Sequence, residues 1–198
     1  VKELDIPIMH DDQHGTAIIS GAALLNGLEV TDKKIGQIKV VVSGAGASAL
    51  SCAEHYIRLG VRKENLLMCD SGGIITKKRK DAGELNRYKA KYARDIPDGG
   101  LTEALVGADV FLGLSKAGIV SGSMIEKMAA RPLIFALANP IPEIMPEEVA
   151  AVRDDAIMAI MSIAIVSLSA QFTNEGISFI FIDSNPQGSH PGRSARLH

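Results

Sequence analysis

The sequence predicts an α/β fold in which helices pack on both sides of one parallel sheet. Three observations carry this prediction. Short apolar or β-branched runs alternate with helix-forming segments along most of the chain. A glycine-rich turn joins the first of these runs to the helix that follows it. At 198 residues the chain is long enough for one hydrophobic core. We therefore expect a single domain with a short N-terminal segment and an irregular C-terminal tail.

The first half of the chain predicts one helix followed by a strand–loop–helix–strand unit. The apolar segment 16–26 is opened by Gly15-Thr16 and predicts a buried helix that ends near Gly27. A β-branched run at 39–43 is typical of an interior strand. Residues 47–59 have helical composition and stop at Gly60, and the apolar strand 65–69 then ends in Asp70.

The second half repeats this alternation, which implies a doubly wound parallel sheet. Residues 103–106 lead into a strand, and strands and helices then alternate to residue 161. The predicted elements are strand 108–112, helix 123–130, strand 133–138, helix 146–152 and strand 156–161. Between the halves lies the polar segment 77–94, which carries eight lysine and arginine residues. Its simplest interpretation is a solvated surface loop and helix.

Composition excludes several classes of partner. With 46% hydrophobic residues, 22% charged residues and a net charge of −2, the chain resembles an ordinary globular protein and gives no reason to expect nucleic-acid binding. The longest apolar run, 156–168, falls short of the roughly 20 residues that span a bilayer, so we expect no membrane partner. Residues 1–5 do not resemble a signal peptide. Cys52 and Cys69 are predicted to be buried free thiols, which favours a reducing, cytoplasmic compartment.

The glycine-rich turn has the spacing Gly44-x-Gly46-x-x-Ala49 and lies between a predicted strand and a predicted helix. Gly44 permits a tight turn, Gly46 lets the backbone approach a pyrophosphate, and Ala49 allows close packing of helix on sheet. The helix N-terminus adds N–H groups and the positive end of a dipole. A Rossmann-type dinucleotide site is therefore predicted at residues Gly44, Ala45, Gly46, Ala47, Ser48 and Ala49.

The end of the second strand bears on which dinucleotide binds. Asp70 can accept hydrogen bonds from ribose hydroxyls, and alone it would favour NAD because a carboxylate repels a 2′-phosphate. Ser71 follows it, however, and the basic cluster 77–80 could lie near enough to neutralise a phosphate. The sequence leaves NAD and NADP open, with a slight preference for NADP.

Two adjacent carboxylates, Asp11 and Asp12, lie between His10 and His14. They could supply oxygen ligands to Mg²⁺ or Mn²⁺, which prefer carboxylate, carbonyl and water. The structural alternative is an Asx turn capping a helix that starts near Thr16, and both interpretations can hold at once. An octahedral ion needs more ligands than this segment provides, so the others must come from elsewhere.

Asn139 and Pro140 follow the predicted strand 133–138, at the carboxyl edge where open α/β folds bind ligands. An amide there could orient a substrate carboxylate or a nicotinamide. The alternative is that Asn139 simply starts a turn before proline.

Taken together, these residues resemble the malic enzyme family, which converts malate to pyruvate with NAD(P) and a divalent metal. The resemblance runs from about residue 5 to residue 159, and its HDDQHG form looks like the bacterial branch whose members often carry a fused phosphotransacetylase-like domain. Five motifs occur in the family's order: IPIMHDDQHGTA, VVSGAGASA, CDS, GADVFLGLS and FALANPIPEI.

The resemblance implies roles for individual residues. Asp12 would be a metal ligand, and Asp11 would support the catalytic network beside it. Residues 44–49, with Asp70 and Ser71, would hold the dinucleotide, while Ser115 would lie near the nicotinamide and Asn139 would face malate. The chemistry implied is hydride transfer from C2 of malate to NAD(P), followed by metal-assisted decarboxylation and protonation of the enolate. The complete enzyme is expected to be a homo-oligomer.

The chain also departs from the family's pattern. The family's tyrosine and lysine acid–base pair and its other acidic metal ligands belong to an N-terminal region that this sequence does not include, so we expect it to be a fragment that is inactive alone. After residue 159 the resemblance fades, and we hypothesise a divergent or frame-shifted tail that an intact reading frame in the gene would exclude. The expected organisation is a metal-site segment at 1–15, the NAD(P)-binding domain at 16–159 and the tail at 160–198.

Two other functions remain open on the sequence. One is a non-catalytic module that retained its dinucleotide site. The other is a metal-independent dehydrogenase of the amino-acid type, which would leave Asp11 and Asp12 unexplained.

Overall fold

A computed structural model describes residues 10–162 and 178–183 of the chain. Its strands are β1 Val40–Ser43, β2 Leu66–Asp70, β3 Gly73–Ile74, β4 Val110–Gly113, β5 Leu133–Ala136, β6 Ile157–Ser162 and β7 Ser178–Asp183. They form one sheet in the order β3-β2-β1-β4-β5-β6-β7. The five central strands are parallel, and β3 and β7 pair antiparallel at the two edges. The predicted α/β fold with a parallel sheet is confirmed.

The helices are α1 Asp11–Thr31, α2 Ala47–Leu59, α3 Lys77–Asp81, α4 Leu101–Leu105, α5 Gly122–Ile125 and α6 Pro146–Ala150. Short 3₁₀ turns lie at Lys63–Asn65 and Lys89–Tyr92. Helix α2 has the predicted bounds and ends at Gly60. Helix α5 is shorter than the predicted 123–130 because the backbone beyond it pairs elsewhere: the Lys127 carbonyl accepts from Gly107 N–H, and Ala129 N–H donates to Ala108.

Helix α1 differs from its prediction at both ends. It begins at Asp11 rather than near Thr16, so Asp11 and Asp12 belong to its first turn and are not an Asx turn ahead of it. Carboxylates in a first turn are favoured by the helix dipole. The helix also continues past Gly27 to Thr31, with Asp32 left-handed at φ 54° as its cap. Gly27 instead permits close packing, since a Cβ there would lie 2.8 Å from Leu133 Cδ1.

The tail contains a strand that the prediction of an irregular tail missed. Residues 178–183 form β7, which pairs antiparallel with β6 from Ile157 to Ser162. The apolar run FIFI between Ser178 and Asp183 is typical of a strand, so the signal was present. The rest of the predicted tail, 163–177 and 184–198, lies outside the described residues.

Helices cover both faces of the sheet, since every residue of β1, β4 and β5 is buried. One apolar cluster joins α1 and α2 to Val40, Val42 and Met68. The other joins α4, α5 and α6 to Val41 and Leu67, which point to the opposite face. In the described parts of the chain, no helix has both the length and the apolar character needed to cross a membrane.

The two cysteines are buried in these clusters. Cys52 lies on α2 and Cys69 on β2, each at most 3% exposed, and neither forms a disulfide. The prediction of buried free thiols is confirmed.

Candidate functional site

Four strands end at one edge of the sheet, and the predicted dinucleotide residues and Asn139 follow those ends. Ser43 at the end of β1 is in register with Cys69 of β2 and with Gly113 of β4, and Gly113 is in register with Ala136 of β5. The strand order reverses between β1 and β4, because β2 lies on one side of β1 and β4 on the other. Open α/β sheets bind ligands in the crevice at such a reversal.

Gly44 forms the turn after β1. Its φ is +116°, and a Cβ there would lie 2.6 Å from the Leu114 carbonyl oxygen. Its N–H donates to the Cys69 carbonyl at 2.8 Å. The backbone thus turns sharply between the loop after β4 and the end of β2, and only glycine fits this position without strain.

Gly46 caps the N-terminus of α2 with extended backbone. A Cβ at Gly46 would meet nothing within 4 Å, so open space lies beside the start of the helix. Gly46 and Ala47 are exposed, whereas Ala49 is 1% exposed and packs into the core. The first N–H groups of a helix lack intrahelical partners, and together with the dipole they favour an anion in this space. The chemistry of the loop therefore fits a pyrophosphate.

Asp70, at the end of β2, lies between two cations. Its carboxylate accepts from Arg79 Nη1 at 2.9 Å and from Lys89 Nζ at 2.8 Å, and the Gly72 N–H donates to it at 2.9 Å. Burial would raise the pKa of this carboxyl, but the hydrogen bonds from Lys89, Arg79 and Gly72 outweigh burial and lower the pKa to about 2. Asp70 is therefore ionised and fully paired.

Of the basic cluster 77–80, only Arg79 pairs with Asp70 among the described residues. Lys77 and Lys78 pair with Asp95 and Asp98 instead. Arg79 is only 14% exposed, and its guanidinium also donates to Glu84 and to the Gly73 and Ile74 carbonyls. The interpretation of 77–94 as a solvated surface is therefore wrong for Arg79 and for Lys89, which is 26% exposed. Lys89 was not predicted near Asp70, since 19 residues separate them.

Ser115 lies on the exposed loop after β4. Its hydroxyl is 3.0 Å from that of Ser43, at the end of β1. Its N–H donates to Glu143 Oε1 at 3.0 Å. Asn139 is also exposed, three residues beyond the end of β5 on the same edge of the sheet. Ser71 is exposed next to Asp70.

Glu143 is the residue at this edge that the sequence did not predict. Its side chain is buried, and its carboxylate accepts from the N–H groups of Ser115 and Ala138, each at 3.0 Å. Burial raises the pKa of this carboxyl above its ordinary value, against the opposing effect of the two amide hydrogen bonds. A usable signal was Gly113, because a glycine that closes a buried strand indicates the close approach of another group.

The predicted metal residues are placed only in part. Asp11 and Asp12 occupy the first turn of α1. Among the residues that the structure describes, no group of three or more His, Cys, Asp and Glu side chains could hold a metal. Carboxylates suit Mg²⁺ or Mn²⁺, but this part of the chain does not complete a ligand shell.

Comparisons with known proteins agree with this geometry. The family model described as "Malic enzyme, NAD binding domain" matches residues 13–171. The chain is 51% identical to the NADP-dependent malic enzyme of Rhizobium meliloti and 48% identical to the NAD-dependent malic enzyme of the same organism. Each match covers 79% of this chain and 20% of the relative. The chain thus spans about a fifth of the length of these relatives.

Solved structures show the same likeness. The NAD-dependent malic enzyme of Thermotoga maritima matches with a TM-score of 0.71 at 41% identity, over 80% of this chain and 42% of that one. The malic enzyme of Pyrococcus horikoshii matches with a TM-score of 0.72 at 37% identity, over 80% of this chain and 39% of that one.

Proposed function

Because the chain belongs to the malic enzyme family through its NAD-binding domain, we propose that it supplies the dinucleotide half of an enzyme that oxidatively decarboxylates malate to pyruvate and CO₂. The observation that carries this proposal is the glycine turn at the N-terminus of α2, with open space beside it and Asp70 on the neighbouring strand. The family membership removes the amino-acid dehydrogenase alternative. The activity of the whole enzyme requires residues outside this sequence, so the chain alone binds cofactor without turnover.

A dinucleotide would be held across the reversal of strand order. Residues 44–49 would hold its pyrophosphate, through the space beside Gly46 and the first N–H groups of α2. Asp70 and Ser71, at the end of β2, would hold its adenosine ribose. Ser115, after β4, would hold its nicotinamide.

The charges at the end of β2 favour NADP over NAD. A lone aspartate accepts the ribose hydroxyls and repels a phosphate, but here Arg79 and Lys89 already neutralise Asp70. Arg79 also pairs with Glu84, so these four side chains carry no net charge, and the preference rests on the N–H donors that Arg79 and Lys89 offer. A 2′-phosphate can therefore accept from the two cations without facing an unpaired carboxylate. We assign NADP as the preferred cofactor.

The residues that would hold substrate and metal are inferred from the family to which the chain belongs. Asn139 presents an exposed amide to malate. Asp12 would serve as one ligand of Mg²⁺ or Mn²⁺ and Asp11 would support it, both from the start of α1. When bound, the divalent ion acts as a Lewis acid on the C2 oxygen of malate. The complete enzyme acts in the cytoplasm as a homo-oligomer, with no nucleic-acid or membrane partner.

A fluorescence titration of the purified chain with NADPH and NADH tests the cofactor assignment. Substituting Arg79→Met removes the charge and keeps an apolar stem, so NADPH affinity should fall about 10- to 100-fold while NADH affinity changes little. Lys77→Met is the matched control, because Lys77 pairs with Asp95 and not with Asp70. Gly46→Trp should abolish binding of both nucleotides by filling the space at the helix start.

Failure of the wild-type chain to bind either nucleotide would refute the proposed function. Equal losses for NADPH and NADH in Arg79→Met would refute only the preference for NADP. Adding the N-terminal region of a malic enzyme relative in trans should produce malate-dependent reduction of NADP, and a non-catalytic module would show no such gain.

A further inference from the structure

Glu143 is a buried carboxylate without a cation beside it. Its relative exposure is 0%, and among residues 10–162 no lysine or arginine forms an ion pair with it. Removing a carboxylate from water is costly, and an apolar side chain of similar size would avoid that cost. A packing role alone therefore does not explain why this position holds an acid.

The contacts of Glu143 reach two separate loops. One carboxylate oxygen accepts from Ser115 N–H, in the loop after β4, and the other accepts from Ala138 N–H, in the segment after β5. The Glu143 backbone carbonyl also accepts from Val120 N–H at 3.1 Å. The residue thus joins the loop that carries Ser115 to the segment that carries Asn139.

A carboxylate is suited to this junction because it accepts on both oxygens and donates on neither. A glutamine would present one acceptor and one donor, so one of the two N–H groups would face another N–H. The adjacent Gly113 leaves the space that the carboxyl occupies, since a Cβ there would lie 2.3 Å from Glu143 Cδ.

We propose that Glu143 is a positioning residue, which holds the loops after β4 and β5 in the arrangement that receives the nicotinamide and the substrate. It touches neither ligand and acts through Ser115 and through the backbone leading to Asn139. This inference rests on the proposed function, because that function places the nicotinamide beside Ser115, after β4. The adenosine end of the cofactor, over β2, lies outside its influence.

Two ligands allow the two ends of the site to be tested separately. NADPH spans both, whereas adenosine 2′,5′-bisphosphate reaches only the β2 side and the pyrophosphate loop. Isothermal titration of the 198-residue chain with each ligand compares the wild type with Glu143→Gln. We expect NADPH affinity to fall about tenfold, as when one charge-assisted hydrogen bond is lost. Affinity for the bisphosphate should stay within about twofold, as for a site whose contacts are unchanged.

Glu148→Gln is the matched control. Glu148 is exposed in α6, accepts from Met145 N–H at 3.0 Å, and makes the same change of charge five residues away. It should leave the affinity for both ligands unchanged. In the same samples, amide hydrogen exchange at Ser115 and Ala138 should accelerate in Glu143→Gln and not in Glu148→Gln.

The outcomes are distinct. Unchanged affinity for NADPH in Glu143→Gln overturns the inference while leaving the proposed function intact. Equal losses for both ligands also overturn it, because they indicate a general structural role. A wild-type chain that binds neither ligand refutes the proposed function first, and the inference with it.

Discussion

The two halves of the candidate site are held by different kinds of interaction. On the β2 side, Asp70 is fixed by side chains of opposite charge, Arg79 and Lys89. On the β4–β5 side, Glu143 is fixed by backbone N–H groups and pairs with no lysine or arginine of the described residues. The first arrangement leaves charged groups that a ligand can recognise. In the second, backbone N–H groups already occupy the Glu143 carboxylate, so a ligand meets loops of fixed position and no free charge.

This difference indicates which side of the site recognises the cofactor phosphate and which side orients the nicotinamide. A phosphate binds through charge, so its determinants are long basic side chains near the edge of the sheet. A nicotinamide carries no comparable anion, so its placement depends on loops held in position. Substitutions should therefore separate the two sides, except at the turn that both share.

That shared turn should give the largest effect. Gly44→Ala places a Cβ 2.6 Å from the Leu114 carbonyl and forces a side chain onto φ +116°. We expect the free energy of unfolding, measured in urea, to fall by about 3 kcal/mol or more. Gly46→Ala is the control for the fold, because its Cβ meets nothing within 4 Å. Similar stability of the two variants would contradict the close approach of the two loops.

A smaller effect, confined to the β4–β5 side, is expected from Gly113→Ala. The new Cβ would displace the Glu143 carboxyl, from which it would lie 2.3 to 2.6 Å. We expect a loss of about 1–3 kcal/mol in unfolding free energy, as for other overpacked positions. NADPH affinity should fall with unchanged affinity for adenosine 2′,5′-bisphosphate. Gly36→Ala, whose Cβ has neighbours only at 3.9 Å, should change neither quantity.

The smallest expected effect is on the stability of the chain in acid, through Asp70 on the β2 side. The Asp70 pKa is about 2 in the folded chain, below its ordinary value of 3.8, so the unfolded chain binds up to one more proton at this site as the pH falls. The stabilising contribution of the ionised carboxylate is complete above about pH 5 and is lost as the pH falls through 3.8 toward 2. Asp70→Asn should therefore flatten the decline of stability between pH 5 and pH 3.

Urea midpoints at pH 5, 4 and 3 measure this decline. Asp155 also has a pKa of about 2, through hydrogen bonds with Arg153 that outweigh its burial, so part of the decline should persist in the variant. Asp95→Asn is the control, because that carboxylate is 81% exposed at the surface. A decline as steep in Asp70→Asn as in the wild type would show that the paired Asp70 adds no stability.

The sequence predicted the β2 side better than the β4–β5 side, for a physical reason. Gly44, Gly46 and the bounds of α2 follow from local rules, because turn geometry and helix capping act within a few residues. Asp70 was found from its place at a strand end. The partner Lys89 was not, because long-range ion pairs leave no periodic signal.

Glu143 escaped prediction because its partner Ser115 lies 28 residues away and its local sequence, PIPEI, indicates only a turn. The extension of α1 was missed because Gly27 was interpreted as a stop, when its function is close contact with Leu133. Both cases depend on which groups the fold brings together. A pattern along the chain does not contain that information.

The buried thiols have a practical consequence for handling the protein. Burial raises the pKa of Cys52 to about 11 and that of Cys69 to about 12. At pH 7 only about one thiol in ten thousand or fewer is therefore the reactive thiolate. An alkylating reagent must wait for the sheet or α2 to open, so the rate of labelling reports the frequency of that opening. Cys52 and Cys69 are thus built-in probes of local unfolding in the unmodified chain. Any cysteine added at the surface would be labelled before them.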